Sequence, residues 1–284
     1  MDINILLEKK KNFNRSTNYA NIFTDEELKS IFYFLLKENE NGKSFLQIQK
    51  EFGITRESIR NFCKKINYKI KNFQNMLRCR EDLFLEIKTE EDAYWLGFIY
   101  ADGYISDDGK FELSLNYRDY EHLLKFAAYS NFCIDKVIKK QKVGEKYYRC
   151  RISFATQHLK ERFFSLGIIP RKSLVLTYPM FLDESLHRHF IRGYFDGDGS
   201  MYKSKSKKDI SVSLLGTKDF LYILNKHIPG LDIKNIRQRN NIFTLSFHSK
   251  QAFSFLDFIY NNSTIYLQRK YDKFKEIAPL YSDV

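Results

Sequence analysis

Long apolar runs are missing from this sequence: none approaches the ~20 residues that a membrane-spanning helix requires, so no membrane partner is expected. The first residues, Met1 to Lys11, carry mixed charge and lack the apolar core of a secretion signal. Both absences lead to the expectation of an intracellular protein (cytoplasmic, nucleoid or organellar) that is not secreted. Cysteine is scarce and badly spaced for metal binding: Cys63, Cys79, Cys133 and Cys150 show no C-x-x-C pair, and only His187 and His189 stand close together among the histidines. A zinc site is therefore not expected, the thiols read as reduced, and the histidine pair is assigned to the exposed start of a helix. Acidic residues are in deficit, 35 Asp and Glu against 47 Lys and Arg, which leaves a formal charge of +12 and a pI near 9.3. That balance favours a polyanionic partner, although charge alone does not separate nucleic acid from a membrane surface.

With 284 residues, about two domains are expected, each able to bury a core. Residues 1 to about 22 are polar and rich in Asn and Lys, and read as a frayed arm. Thr24-Asp25-Glu26-Glu27 has the form of a capping box, opening a helix with Leu28, Ile31, Phe32, Leu35 and Leu36 on one face. A second box, Ser44-Phe45-Leu46-Gln47, starts a short helix that breaks at Gly53, and Thr55 caps a third over about Arg56 to Ile66. The pattern resembles a helix-turn-helix. Ile48, Phe52, Ile54, Ile59 and Phe62 stand at its core positions with Gly53 in the turn, while Gln49 departs from the small residue usual at the crossing. On this reading Arg56, Ser58, Arg60 and Asn61 face the major groove or its phosphates; the alternative is a three-helix bundle with a solvated basic face. Residues 1–75 are thus read as a helix-turn-helix DNA-binding domain. The mixed-charge stretch after the helices, with Lys69, Lys71, Arg78 and Arg80, runs into a linker at 76–90.

Two stretches organise the remainder: Trp95-Leu96-Gly97-Phe98-Ile99-Tyr100-Ala101-Asp102-Gly103, and Ile191-Arg192-Gly193-Tyr194-Phe195-Asp196-Gly197-Asp198-Gly199. An Asp-Gly pair after one apolar run is ordinarily a helix end, with Gly in the left-handed position. Here the layout occurs twice, with small residues four apart, Gly97/Ala101 and Gly193/Gly197. Residues at i and i+4 share a helix face, so these four are expected to form the interface where the two helices approach closely.

The surroundings repeat as well. After Gly103 come a hairpin turning at Asp107-Asp108-Gly109, an alternating strand Phe111 to Leu115, a helix capped by Asp119 and running to about Asn131, and a second hairpin turning near Gly144. Its return strand puts Tyr147, Arg149, Arg151 and Ser153 on one face and Tyr148, Cys150, Ile152 and Phe154 on the other, before a helix capped by Thr156 that ends at Gly167. After Gly199 the order recurs: a strand, a loop with Lys203, Lys205, Lys207 and Lys208, a strand from Ile210 to Leu215, and a helix capped by Thr217. A hairpin follows with Asn235, Arg237 and Arg239 on one face, then a helix from about Ser249 to Tyr260. An internal duplication follows. The fold class is α+β: a pseudo-twofold pair of αββαββα half-domains with antiparallel sheets, at 91–185 and 186–284, preceded by the small all-α domain.

Asp102 and Asp198 would then be neighbours, each an anion at the negative end of a helix dipole and beside a like charge. Divalent cations would offset both penalties, since hard cations take carboxylate and phosphate oxygens, and metals held there could serve phosphodiester hydrolysis. Tyr147, Arg149, Arg151, Ser153, Lys203, Lys205, Lys207, Asn235, Arg237 and Arg239 would supply a basic surface able to lie along a DNA groove.

At these residues, over about 91 to 275, the chain resembles the single-chain, two-motif LAGLIDADG homing endonucleases. The resemblance implies a monomer that cleaves both strands of a double-stranded DNA target site with Mg2+ or Mn2+, leaving 3′ overhangs and serving the homing of an intron or other mobile element. It further implies that Asp102 and Asp198 bind metal with the carbonyls of Ala101 and Gly197, and that Lys172 and Lys270, in Arg171-Lys172-Ser173 and Arg269-Lys270-Tyr271, act near the scissile phosphates. A merely solvated lysine is the alternative for each. Tyr100 stands where the motif carries an acid, matched by Asp196 in the second copy, and Asn116 is a candidate for positioning water. The termini, Met1 and Tyr281-Ser282-Asp283-Val284, lack an intein's Cys or Ser start and His-Asn end, so an intron-encoded or free-standing enzyme is expected. No protein partner is indicated. Two readings compete: a non-cutting DNA-binding transcription regulator of the same fold, and an intron RNA maturase.

Overall fold

The computed structural model describes residue 9 and residues 22–40, 45–66, 79–80, 82–143, 147–155, 159–204, 209–231, 236–239 and 242–281. The expected arm apart from Lys9 and Ile22, the Ser44 and Thr156 caps, Lys69, Lys71 and Arg78, the turns at Gly144 and Asn240-Asn241, and Lys205, Lys207, Lys208 and Asn235 lie outside the described residues, as do the side chains of Arg56 and Arg239. The chain divides into two compact units, Met1–Met76 and Leu77–Val284.

The first unit is all-α: α1 (Asp25–Glu40), α2 (Phe45–Phe52) and α3 (Arg56–Lys65). The Thr24 box is formed from both sides, Glu27 N donating to Thr24 Oγ1 at 3.3 Å and Thr24 N to Glu27 Oε2 at 2.8 Å. The apolar stripe of α1 supplies Ile31, Phe32, Leu35 and Leu36 to a core completed by Ile48, Ile54, Ile59, Phe62 and Cys63. Gly53 takes φ +69° between α2 and α3, a left-handed turn that glycine enters without a Cβ penalty. Thr55 caps α3 by accepting from Ser58 N.

In the second unit, α4 (Glu90–Asp102) begins on a capping box between Thr89 and Asp92. Every residue from Ala93 to Tyr100 is buried, the signature of a helix enclosed by its own fold. It runs without a loop into β1 (Gly103–Ile105), followed by β2 (Lys110–Asn116), α5 (Tyr120–Tyr129), β3 (Ile138–Val143), β4 (Tyr147–Ala155) and α6 (Lys160–Ser165). The order then repeats as α7 (His187–Asp198), β5 (Ser200–Lys203), β6 (Ile210–Gly216), α8 (Lys218–Lys226), β7 (Ile236–Arg239), β8 (Ile242–His248) and α9 (Ser249–Tyr260), with α10 (Gln268–Ile277) added. Two antiparallel four-stranded sheets result, ordered β1-β2-β4-β3 and β5-β6-β8-β7. This is the duplicated α+β architecture expected above.

Strand alternation sorts the faces. Phe111↔Phe154, Leu113↔Ile152 and Leu115↔Cys150 pair inward, while Glu112↔Ser153, Ser114↔Arg151 and Asn116↔Arg149 pair on the opposite face. In the second sheet Val212↔Phe247 and Leu214↔Leu245 are buried, and Arg237 lies opposite Thr244 on the polar side. A single core joins both halves, from Trp95 and Phe111 to Phe195 and Phe255.

Three local expectations need correction. Asp119 stands at the N-cap of α5 but makes no side-chain cap bond; its buried carboxylate instead accepts from Arg269 Nε at 2.9 Å, tying α10 to the first repeat. His187 does begin α7, yet it is buried, because Tyr178 and His227 cover its ring. Gly103 and Gly199 are not left-handed: their φ/ψ are −69°/138° and −73°/147°, extended backbone that starts the next strand. They are glycines for another reason. A Cβ on Gly103 would stand 2.5 Å from Ile99 Cγ2, and one on Gly199 2.1 Å from Phe195 Cδ2, so only a bare Cα lets the chain leave each helix so sharply.

Candidate active site

The site begins at the seam between α4 and α7. A Cβ on Gly97 would stand 2.0 Å from Phe190 O, and one on Gly193 1.9 Å from Tyr94 O. The relation is reciprocal, since Phe190 and Tyr94 each precede the opposite glycine by three residues. One turn on, a Cβ on Gly197 would be 2.4 Å from Ala101 Cβ and 3.3 Å from Asp102 Oδ2. The helices therefore run side by side in the same direction and end together. Two negative dipole ends and two terminal carboxylates, Asp102 and Asp198, meet at one spot.

Electrostatics follow from that crowding. Burial, then the charge of Asp198, pushes the Asp102 carboxyl up to about 7, against opposing pulls from Lys270 and Lys172. Asp102 is half-buried; Asp198 sits at the rim and meets solvent, yet the packed helix end beneath it also raises its carboxyl through lost hydration. Among the described residues neither carboxylate accepts a hydrogen bond or enters an ion pair. The donor set, two hard and unpartnered carboxylates with the chain carbonyls of Ala101 and Gly197 beside them, suits a divalent cation of the Mg2+ class.

Lys172 and Lys270 both reach this place, by different routes. Lys172 sits on a short 3-10 turn after Arg171, whose φ of +55° is left-handed; Lys270 is the third residue of α10. Both are buried. Lys172 Nζ donates to Gly103 O, and to Ala101 O at 3.4 Å; Lys270 Nζ donates to Phe195 O and Gly199 O, each at 2.5 Å. The ammonium groups thus close the carbonyl ends of α4 and α7 instead of standing solvated. Burial lowers both, Lys270 to about 8, with the nearby aspartates pulling the other way.

The two inner motif positions differ. Tyr100 OH donates to Leu166 O. Asp196, fully buried, accepts from Tyr94 OH at 2.8 Å, Tyr260 OH at 2.5 Å and Leu267 N at 2.7 Å. Loss of solvent raises its carboxyl, and the bond to Leu267 sets the start of α10 and so the placement of Lys270. Asn116 Oδ1 accepts from Arg118 N at 3.1 Å, capping a 3-10 turn.

On the polar face of the first sheet Tyr147 is exposed, while Arg149, Arg151 and Ser153 are half-buried. Glu112 lies between the arginines, 3.2 Å from Arg151 and 3.7 Å from Arg149, so it holds their forks in fixed positions and offsets part of their charge. Lys203 is half-buried at the end of β5 and Arg237 exposed on β7. Ser58, Arg60 and Asn61 are exposed on α3, with Ser58 Oγ 2.9 Å from Thr55 Oγ1.

Three features escaped sequence reasoning. Arg192 is wholly buried and donates to Ile259 O, Ile265 O and Glu90 Oε1; a charge inside an apolar motif was its only sign. The Arg269–Asp119 pair joins residues 150 apart. Glu184, His187 and His227 form a cluster able to coordinate a divalent metal. The Glu184-x-x-His187 spacing hints at it, but only the fold brings in His227.

Comparison with known proteins gives one partial family match and several distant structural likenesses. The LAGLIDADG-like domain matches residues 185–221, which hold α7 and Asp198. The chain is similar to the LAGLIDADG meganuclease I-AabMI bound to uncleaved DNA, at 16% identity over 66% of this chain and 89% of that one, with a TM-score of 0.38. It is similar to the meganuclease I-SmaMI bound to uncleavable DNA, at 14% over 66% and 89%, TM-score 0.41. Full-length DUF199/WhiA from Thermatoga maritima is similar at 20% over 70% and 64%, TM-score 0.40. No curated protein matches the sequence.

Proposed function

We propose that this protein is a metal-dependent endonuclease that hydrolyses phosphodiester bonds in both strands of a double-stranded DNA site, with Asp102 and Asp198 as its shared metal-binding acids. The observation that carries the reading is the unpartnered carboxylate pair at the joined ends of α4 and α7, with Asp102 raised to about 7 by burial and by Asp198. Mg2+ or Mn2+ held there would supply Lewis-acid chemistry for phosphodiester hydrolysis. Asp102 and Asp198 hold the charge; the carbonyls of Ala101 and Gly197 offer further oxygens. Lys172 and Lys270 fasten the helix ends and keep positive charge beside the scissile phosphates. Tyr147, Arg149, Arg151, Ser153, Lys203, Lys205, Lys207, Asn235, Arg237 and Arg239 engage the duplex along the sheets. Arg56, Ser58, Arg60 and Asn61 of the helix-turn-helix region, residues 1–75, joined by the 76–90 linker, contact DNA as well.

The test is incubation of the full chain with a pool of duplexes carrying diverse insertion sites, in Mg2+ or with chelator. Strand breaks leaving 3′ overhangs, seen only with metal, are expected. Tight, selective binding with no break in Mg2+ or Mn2+ would favour a non-cutting regulator and end the endonuclease reading.

A further inference from the structure

We propose that Glu184, His187 and His227 form a second metal site, suited to a borderline transition cation such as Zn2+ and separate from the carboxylate pair. Their ligand atoms all lie within 4.8 Å of one another, with Glu184 Oε2 3.7 Å from both His187 Nε2 and His227 Nδ1. Tetrahedral zinc with bonds of about 2.0–2.1 Å needs ligand atoms roughly 3.3 Å apart, so small side-chain movements close the set. Two imidazoles and one carboxylate are the ligand mix of zinc rather than of magnesium.

The site is built on both sides. Tyr178 Oη lies 2.9 Å from His187 Nδ1. An ion on His187 Nε2 would select the tautomer that donates Nδ1–H to Tyr178, the outer hydrogen bond that fixes a ligating histidine. Burial and the neighbouring His227 disfavour the charged form of His187, with Glu184 pulling the other way. The His187 and His227 rings are stacked with centroids 3.5 Å apart and planes 23° apart, so sharing one ion requires His227 to rotate out of that stack, a movement its place just after α8 allows. Glu184 is 85% exposed, which gives the ion a path in and leaves room for water as a fourth ligand. Glu184 and His187 lie at the turn that begins α7, and His227 directly follows α8. Asp198 ends α7 about 16 Å away at 1.5 Å per residue. The ion would therefore pin the start of the second motif helix without touching the acid pair.

Tag-free, chelator-stripped full-length protein is titrated with Zn2+ and with Mg2+, alongside Glu184→Gln, His227→Gln and Asp198→Asn variants. Wild type and Asp198→Asn should each take up one equivalent of Zn2+ that the Glu184 and His227 variants do not. At about 100-fold excess over Kd, Zn2+ should raise the melting temperature by about 5–10 °C. Co2+ substitution should give visible absorption that both ligand variants abolish. Because Glu184 is a surface residue, its variant keeps the fold and serves as the decisive probe. Equal uptake in wild type and Glu184→Gln, or uptake lost in Asp198→Asn, overturns the proposal.

Discussion

At the residue scale the site turns on carboxylates with different fates. Asp196 and Asp198 are two positions apart, yet one accepts three hydrogen bonds in the core and the other meets solvent at the rim. Asp102 carries a pH signature. Its folded value of about 7 lies above the ordinary carboxyl value of about 3.9. Its contribution to stability is therefore fully present below about pH 4 and lost as pH rises toward 7. Metal-free protein should lose melting temperature across that window, and Asp102→Asn should flatten the loss; an unchanged profile would remove Asp102 from a crowded anionic site. Added Mg2+ should stabilise wild type increasingly as pH passes about 7, because ligation requires the deprotonated carboxylate. The meeting of Asp102 with Asp198 was legible in the sequence because the motif occurs twice. The buried Arg192 and the Asp119–Arg269 pair were not, since their partners lie up to 150 residues away.

At the element scale the two motif helices are a seam closed by missing side chains. Gly97 and Gly193 face backbone carbonyls at 2.0 and 1.9 Å from a would-be Cβ, and backbone on both sides leaves little room to give. Gly97→Ala or Gly193→Ala should cost at least about 3 kcal/mol, the upper end of overpacking penalties, lowering the melting temperature by about 6–12 °C. Gly230→Ala is the control: nothing lies within 4 Å of its Cβ position, and its left-handed φ makes the cost only ~1–2 kcal/mol. Equal effects at Gly193 and Gly230 would mean that the seam is not tight. Alternation and capping residues revealed most strands and helices. The exits at Gly103 and Gly199 misled, because an extended glycine pressed on its own helix and a left-handed one leave the same Asp-Gly in sequence.

At the scale of the whole molecule, the net charge of +12 predicts DNA affinity that falls steeply with salt, since each neutralised phosphate releases counterions. Arg60, exposed on α3, is the cleanest probe of the N-terminal unit. Arg60→Gln should lower the slope of log affinity against log salt by about 1, and an unchanged slope would favour a helical bundle without a DNA role. On the endonuclease reading, Asp102 and Asp198 make one site that neither repeat builds alone. The most direct measurement is strand-resolved cleavage of a duplex cut by wild type, repeated with Asp102→Asn and Asp198→Asn in Mg2+. Each variant should bind with near wild-type affinity yet lose double-strand cleavage by about 100-fold or more, the scale of removing one preorganised electrostatic contact. Undiminished double-strand cleavage by either variant would mean that the carboxylate pair is not the catalytic centre.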